Sequence, residues 1–193
     1  FEDNVRQAID SARERDQAHV MMYMDLDQFK VVNDTCGHMA GDELLKQLTV
    51  VLRKKVRELD TLARLGGDEF GVLLMGCPAE AGLRIAEKFR QDVRSFRFVW
   101  EQTTFEMGVS IGLVAIDKDT VSLSALMSAA DMACHMAKET GRNRVHAFAA
   151  GDETLEKRQS EMQVVSKISS ALEHDRFVLH AQPITPTTGT DDL

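Results

Sequence analysis

Cysteine is the first scarcity that narrows the reading: Cys36, Cys77 and Cys134 are the only three in 193 residues, an odd number with no short metal-ligand spacing. A disulfide framework is thereby set aside, and the usage fits a reducing compartment. No apolar run approaches the length of a bilayer span and no signal peptide opens the chain, so this stretch makes no membrane contact of its own. Basic charge is short as well. With 23 Lys and Arg against 31 Asp and Glu, the formal charge is −8, which weighs against a nucleic-acid polymer as partner and against a generic polymerase-like transferase. Any phosphate ligand must be held by a metal or by a few local cations. No internal repeat or low-complexity segment appears before residue 150.

What is present is an ordinary core-forming content, 44% hydrophobic, over a length with room for one full domain and an appendage. The organising stretch is Thr61 to Met75, where two apolar runs flank Gly66 and Gly67. It predicts a β-hairpin whose glycines supply positive φ, with Asp68 and Glu69 at its tip. Val20 to Asp25 predicts a strand that ends in a second acidic cluster, Asp25 and Asp27. If the two strands are neighbours, three or four acidic oxygens converge, a ligand set that suits a hard cation such as Mg²⁺. Two adjacent carboxylates beside a glycine turn are also what a solvated loop looks like.

Around these runs the periodicity predicts helices over 1–17, from Phe29 to an interruption near Cys36–His38, over 41–59, 79–96 and 122–139, and strands over 105–116 and 145–148. Helices alternate with strands but a hairpin sits in the middle, so the expected fold is α/β in the broad sense (α+β), a mixed rather than all-parallel sheet with helices packed on it. After Ala150 the character changes. Residues 150–175 read as a charged connector helix, and 176–193 as one strand followed by a polar tail.

Asp25-Leu-Asp-Gln-Phe-Lys30, Asn33-Asp-Thr-Cys-Gly-His38, Gly41-Asp42, Arg64-Leu-Gly-Gly-Asp-Glu-Phe70, Ala137-Lys138 and Gly141-Arg-Asn143 together resemble the GGDEF family of diguanylate cyclases. The resemblance covers residues 1–149 and implies a palm-like mixed central β-sheet wrapped by helices, similar to nucleotidyl cyclases. It implies a bacterial signalling transferase that condenses two GTP into cyclic di-GMP with release of pyrophosphate, dependent on Mg²⁺ (or Mn²⁺) and active as a homodimer, each domain holding one GTP. By the same resemblance Asp25, Asp68, Glu69 and the backbone carbonyl of Leu26 are metal ligands, and Glu69 helps deprotonate the attacking hydroxyl. Phe29, Lys30, Lys138 and Arg142 fall on substrate-binding positions, the three cations holding the triphosphate. Gly66 and Gly67 let the nucleotide approach the backbone.

Asn33 and Asp42 occupy the base-reading positions, where a carboxylate can accept from the N1 and N2 donors of guanine. Both could also serve as helix caps near Gly37 and Gly41. Asp27 either shares the face of Asp25 or caps the following helix. Arg57-Glu-Leu-Asp60 reads as a helix-end ion pair, and its register matches the family's product-inhibition site, with Lys88 where a second arginine often stands. Cyclic di-GMP would thus be product and inhibitor. Gln182, Pro183 and Ile184 resemble the opening of an EAL phosphodiesterase domain. The whole then reads as the cytosolic part of a larger tandem GGDEF-EAL protein, membrane-anchored or not. The rival expectation is a catalytically silent GTP-binding module that regulates an EAL neighbour.

Overall fold

The computed structural model describes residues 1–148. The expected connector helix over 150–175 and the segment 176–193 with Gln182, Pro183 and Ile184 lie outside the described residues. Among the described residues no helix is long and apolar enough to cross a membrane.

In chain order the elements are α1 (Glu2–Arg15), β1 (His19–Asp27), α2 (Phe29–Cys36), α3 (His38–Arg53), β2 (Thr61–Gly66), β3 (Glu69–Leu74), α4 (Ala79–Ser95), β4 (Arg97–Trp100), β5 (Thr103–Glu106), β6 (Gly108–Ile116), α5 (Leu123–Glu139) and β7 (Val145–Ala147). The main sheet has the order β2-β3-β1-β6-β7. Its β1–β3, β1–β6 and β2–β3 pairings are antiparallel and β6–β7 is parallel, so the mixed sheet expected from the sequence is the observed one.

β1 is the central strand, and its apolar run is buried along nearly its whole length. That continuity reflects cover on both faces rather than on one. Val20, Met22, Met24 and Leu26 join α2, α3 and α4 in one core, while Met21 meets α1 and α5 in a second. α4 shows how the helices are recruited: Gly82, Ala86, Phe89 and Val93 recur at helical spacing and are all buried. Sequestering a side chain such as Phe89 is worth roughly 1.5–3 kcal/mol. α5 begins where Ser122 accepts a hydrogen bond from Ala125 N–H at 3.2 Å.

Three boundaries differ from the periodic pattern. α2 and α3 meet at Gly37, whose N–H donates to Asn33 O at 2.8 Å, so α3 starts three residues earlier than Gly41. α3 stops at Arg53 rather than reaching Leu59, because Asp60 draws the backbone into a turn. Its carboxylate accepts from Arg57 N–H at 2.9 Å and from Met75 N–H at 3.0 Å, a local alternative to helical bonding that aspartate offers. The strand expected over 105–116 is two: Phe105 belongs to the β4–β5 hairpin, and β6 begins at Gly108.

Candidate active site

The site is built where β1 ends against the tip of the β2–β3 hairpin. Asp25 lies directly opposite Glu69 in the β1–β3 register, which sets the two side chains side by side on one face of the sheet. Asp68 follows at the turn, and its carbonyl accepts from Leu26 N–H at 3.2 Å. A strand residue points its N–H and C=O to the same edge, so the Leu26 carbonyl also faces the hairpin tip. The turn itself is braced by Arg64, whose Nε donates to Gly67 O at 2.9 Å. Only Gly67 has a positive φ, 37°. Gly66 closes β2, and a Cβ placed there would stand 3.7 Å from Glu69 Oε2, an ordinary contact. Nothing in the domain's own packing therefore requires glycine at 66, a correction to the expectation that both glycines supply the turn's positive φ.

Asp25 is buried, and the amino group of Lys138 stands 2.5 Å from its Oδ2. Burial raises the Asp25 pKa and the charges of Asp68 and Glu69 push the same way, against the lowering effect of Lys138. Burial alone would lower Lys138, but the Asp25 carboxylate outweighs it and the amine is held above its ordinary value. Asp25, Asp68, Glu69 and the Leu26 carbonyl offer oxygen donors only, the donor type that hard divalent ions take. Among the described residues no three His, Cys, Asp or Glu side chains are gathered as a finished metal cage. Lys138, expected on the triphosphate, is here the counter-charge of Asp25.

Asp27 does not cap α2. That helix has Gln28 at its N-cap and no side-chain cap, and Asp27 is buried with both oxygens engaged elsewhere. Oδ1 accepts from Ser110 Oγ at 2.8 Å and Oδ2 from Asn143 N–H at 2.9 Å. Arg142 is exposed in the adjoining turn, and so is Lys30 on α2.

Phe29 packs into the core while Asn33 remains half-buried at the α2–α3 junction. A Cβ on Gly41 would fall 2.0 Å from Asn33 Oδ1, so the glycine is what lets Asn33 lie against α3 one residue from Asp42. Neither side chain caps a helix: α3 has Gly37 at its N-cap without a side-chain bond, and Asn33 contributes only its carbonyl to Gly37. Asp42 lines a cleft of about 600 Å³ together with Leu45, Lys46, Thr49, Val50 and Arg64.

A hairpin-borne carboxylate pair, a buried partner strand and the Asp42 cleft agree with the comparison to known sequences, in which the family described as diguanylate cyclase, GGDEF domain, matches residues 1–144. The chain belongs to the GGDEF family. It is 40% identical over 148 residues, 77% of this chain, to the probable diguanylate cyclase DgcE of Escherichia coli, of which it covers 13%. It is 35% identical over 183 residues, 95% of this chain, to MucR of Pseudomonas aeruginosa, named a bifunctional diguanylate cyclase/cyclic di-GMP phosphodiesterase, of which it covers 26%. The chain thus spans about an eighth to a quarter of the length of these relatives. Among solved structures the GGDEF domain of YfiN from Pseudomonas aeruginosa is similar at a TM-score of 0.72 and 32% identity, over 78% of this chain and 94% of that one.

In this GGDEF domain the Arg57–Asp60 motif is a tight turn, not a helix end. Asp60 N–H closes it on Arg57 O at 3.2 Å. Asp60 is 7% exposed with each oxygen already accepting a main-chain N–H, whereas Arg57 and Lys88 are exposed. The charges of Arg57 and Arg84 both act on the buried Cys77 thiol, whose pKa burial raises and they lower. A second guanidinium, Arg84, therefore flanks Cys77 one helical turn before Lys88.

Two side chains of the site escaped the sequence reading. Burial and a hydrogen bond to Glu69 hold the Tyr23 phenol far above its usual range, so it stays protonated as a donor to that carboxylate. Tyr23 precedes Asp25 by two residues in β1, and this strand period was the signal for it. Arg64 is the other: besides bracing the turn, it lines the Asp42 cleft and, with Tyr23 and Glu69, a second cleft of about 520 Å³.

Proposed function

We propose that this GGDEF domain is one half-site of a diguanylate cyclase, joining two GTP into cyclic di-GMP with release of pyrophosphate. The observation that carries the reading is the pairing of Asp25 with Glu69 across β1 and β3, with Asp68 beside them at the turn. Bound Mg²⁺, or Mn²⁺, would neutralise the triphosphate and lower the pKa of the attacking 3′-hydroxyl. Asp25, Asp68, Glu69 and the Leu26 carbonyl would hold the ions, and Glu69 also receives the hydroxyl proton, with Tyr23 orienting its carboxylate. Lys30, Lys138 and Arg142 take the triphosphate, Lys138 from its place beside Asp25. Asp42 and Asn33 read the guanine edge beside Phe29. Gly66, which no internal contact requires, leaves its surface open to the nucleotide.

The product is symmetric and each domain offers one such set of residues. Catalysis then needs two domains face to face, a homodimer at least while it turns over. GTP supply puts that work in the cytosol. Arg57, Asp60 and Lys88 form the product-inhibition site, with Arg84, one helical turn before Lys88, as the candidate for the planar contact an ammonium cannot make.

The test is incubation with GTP and Mg²⁺ at high protein concentration, and again fused to a dimerising coiled coil, with chromatographic separation of nucleotides. Cyclic di-GMP that rises on dimerisation and vanishes in Asp68→Ala and Glu69→Ala supports the proposal. GTP binding without product in either form favours the second reading, a GTP-binding module governing an EAL phosphodiesterase domain. That reading draws on the alignment to bifunctional MucR, which runs past the residues matched by the GGDEF family itself, and on the EAL-like Gln182, Pro183 and Ile184.

A further inference from the structure

We infer that Asp27 is a positioning residue for the triphosphate cation Arg142, a role that rests on the cyclase reading above. The turn after α5 is unusual in its backbone. Gly141, Arg142 and Asn143 have φ of 122°, 59° and 45° in succession. Each left-handed non-glycine residue costs roughly 1–2 kcal/mol, so such a run persists only where its surroundings hold it. The holds are identifiable. Arg142 N–H donates to Ala137 O at 3.0 Å, which ties the turn to the end of α5. Asn143 N–H donates to Asp27 Oδ2 at 2.9 Å, which ties it to the end of β1. Longer contacts run from Gly141 N–H to Lys138 O at 3.4 Å, from Arg144 Nε to Arg142 O at 3.4 Å and from Arg90 to the Asn143 carbonyl at 3.5 Å, and just beyond the turn Arg144 O accepts from Ile111 N–H of β6 at 2.9 Å.

Asp27 is itself fixed. It is 6% exposed, and its second oxygen takes the hydroxyl of fully buried Ser110 at 2.8 Å. Space for the bond is provided by Gly108, opposite Asp27 in the β1–β6 register. A Cβ there would sit 2.8 Å from Oδ2 and 3.3 Å from the Asn143 Cβ, wedged between donor and acceptor. Two carboxylates separated by one residue on β1 therefore hold consecutive parts of the chain, Asp25 the last turn of α5 through Lys138 and Asp27 the turn that follows it through Asn143. Arg142 lies in the chain between those two anchors, and its side chain is exposed. The strand that would hold the metal thereby also sets where the phosphate-binding guanidinium stands.

The test uses the whole chain with GTP and Mg²⁺ as probe, read by calorimetric affinity and, in the dimerised form, by KM and kcat separately. Asp27→Ala is expected to weaken GTP binding about ten-fold, as removal of a single charge-assisted hydrogen bond would, and to raise KM more than it lowers kcat. Asp27→Asn keeps an oxygen for Asn143 N–H and an NH₂ for Ser110 Oγ, and should stay within about two-fold of the parent. Adding Asp27→Ala to Arg142→Ala should cost nothing further, because both act through the same guanidinium. Independent losses in that cycle, or parental affinity in Asp27→Ala, overturn the proposal. Gly108→Ala, which retains the carboxylate but displaces its bond, should reproduce the GTP defect and serves if Asp27→Ala does not fold. Amide exchange separates this claim from the cyclase reading. Asn143 should exchange faster in either variant while Met22 stays protected, and unchanged Asn143 protection overturns the hold by Asp27 whether or not GTP binds. Failure of the parent to bind GTP at all overturns instead the reading on which the Arg142 role rests.

Discussion

Replacing Asp60 separates two duties that the sequence merges. As a ligand for product its loss would affect inhibition alone, yet in the fold its two oxygens hold Arg57 N–H and Met75 N–H. Hydrogen bonds to an ionised group contribute about 1.5–3 kcal/mol each. The Arg57 amide lies on an exposed turn where water can replace the carboxylate, so the low end applies and Asp60→Ala should cost about 3 kcal/mol. For a domain of this size that is a fall of about 6–12 °C in Tm. Asp60→Asn carries one acceptor oxygen for two donors, so it should lose about half as much. Arg57→Ala leaves its own backbone amide in place and, as a change to an exposed side chain, should stay within about 0.5 kcal/mol of the parent. Urea denaturation of the three variants, with unchanged slope, measures these differences. Asp60→Ala within about 0.5 kcal/mol of the parent would refute the reasoning. The consequence is practical: any change of inhibition in an Asp60 variant is interpretable only beside its stability, whereas Arg57→Ala would test the proposed product contact directly.

Three further outcomes are expected. Burial already holds Asp25 above the usual carboxylate range, so the fold binds its proton more tightly than the unfolded chain, and its contribution to stability falls as pH rises from the ordinary value through the raised one. Lys138→Met should deepen that fall and move the acid limb of Mg²⁺ binding to higher pH; an unmoved limb in a calorimetric pH series would show that Lys138 does not set it. Gly41→Ala drives a methyl into Asn33 Oδ1, and should raise the KM for GTP at a stability cost of about 1–3 kcal/mol; unchanged KM would remove Asn33 from the base-reading site. Tyr23→Phe should leave the unfolding free energy from urea denaturation within about 1 kcal/mol of the parent but lower kcat, and an unaltered kcat would assign the phenol to packing alone.

Much of the fold was legible because it rests on periodicity. The run into Asp25, the glycine turn at 66–67 and the stripes of α4 and α5 carry their own signatures, and the strand pairing sets Asp25 opposite Glu69, though among the described residues no three acidic side chains gather closely enough to hold an ion. The boundaries that differed lacked such signatures. Asp60 ends α3 through its side chain, with one of its donors 15 residues further along, and no helical pattern encodes that competition. The turn between β4 and β5 uses Glu101 at φ 53° where glycine or asparagine would have announced it. Asp27 was open between two local roles because its partners are 83 and 116 residues away. Gly41 shows the converse case, a motif residue whose packing reason appears only once α2 and α3 meet.

The sheet order has an outcome for durability. Asp25 is borne by an interior strand with hydrogen-bonded neighbours on both sides, but the hairpin that presents Asp68 and Glu69 has β2 as its outer strand, at the rim of the sheet. Rim strands fray at lower free energy than interior ones. Warming should therefore silence the site some degrees before the domain melts, seen as an inactivation curve running ahead of the loss of far-ultraviolet circular dichroism. Coincident curves would instead mean that hairpin and core open as one unit. A domain arranged this way is most sensitive to whatever touches its hairpin edge, and a neighbour that adds hydrogen bonds along β2 would raise the working temperature of the reaction centre without contacting a single one of its carboxylates.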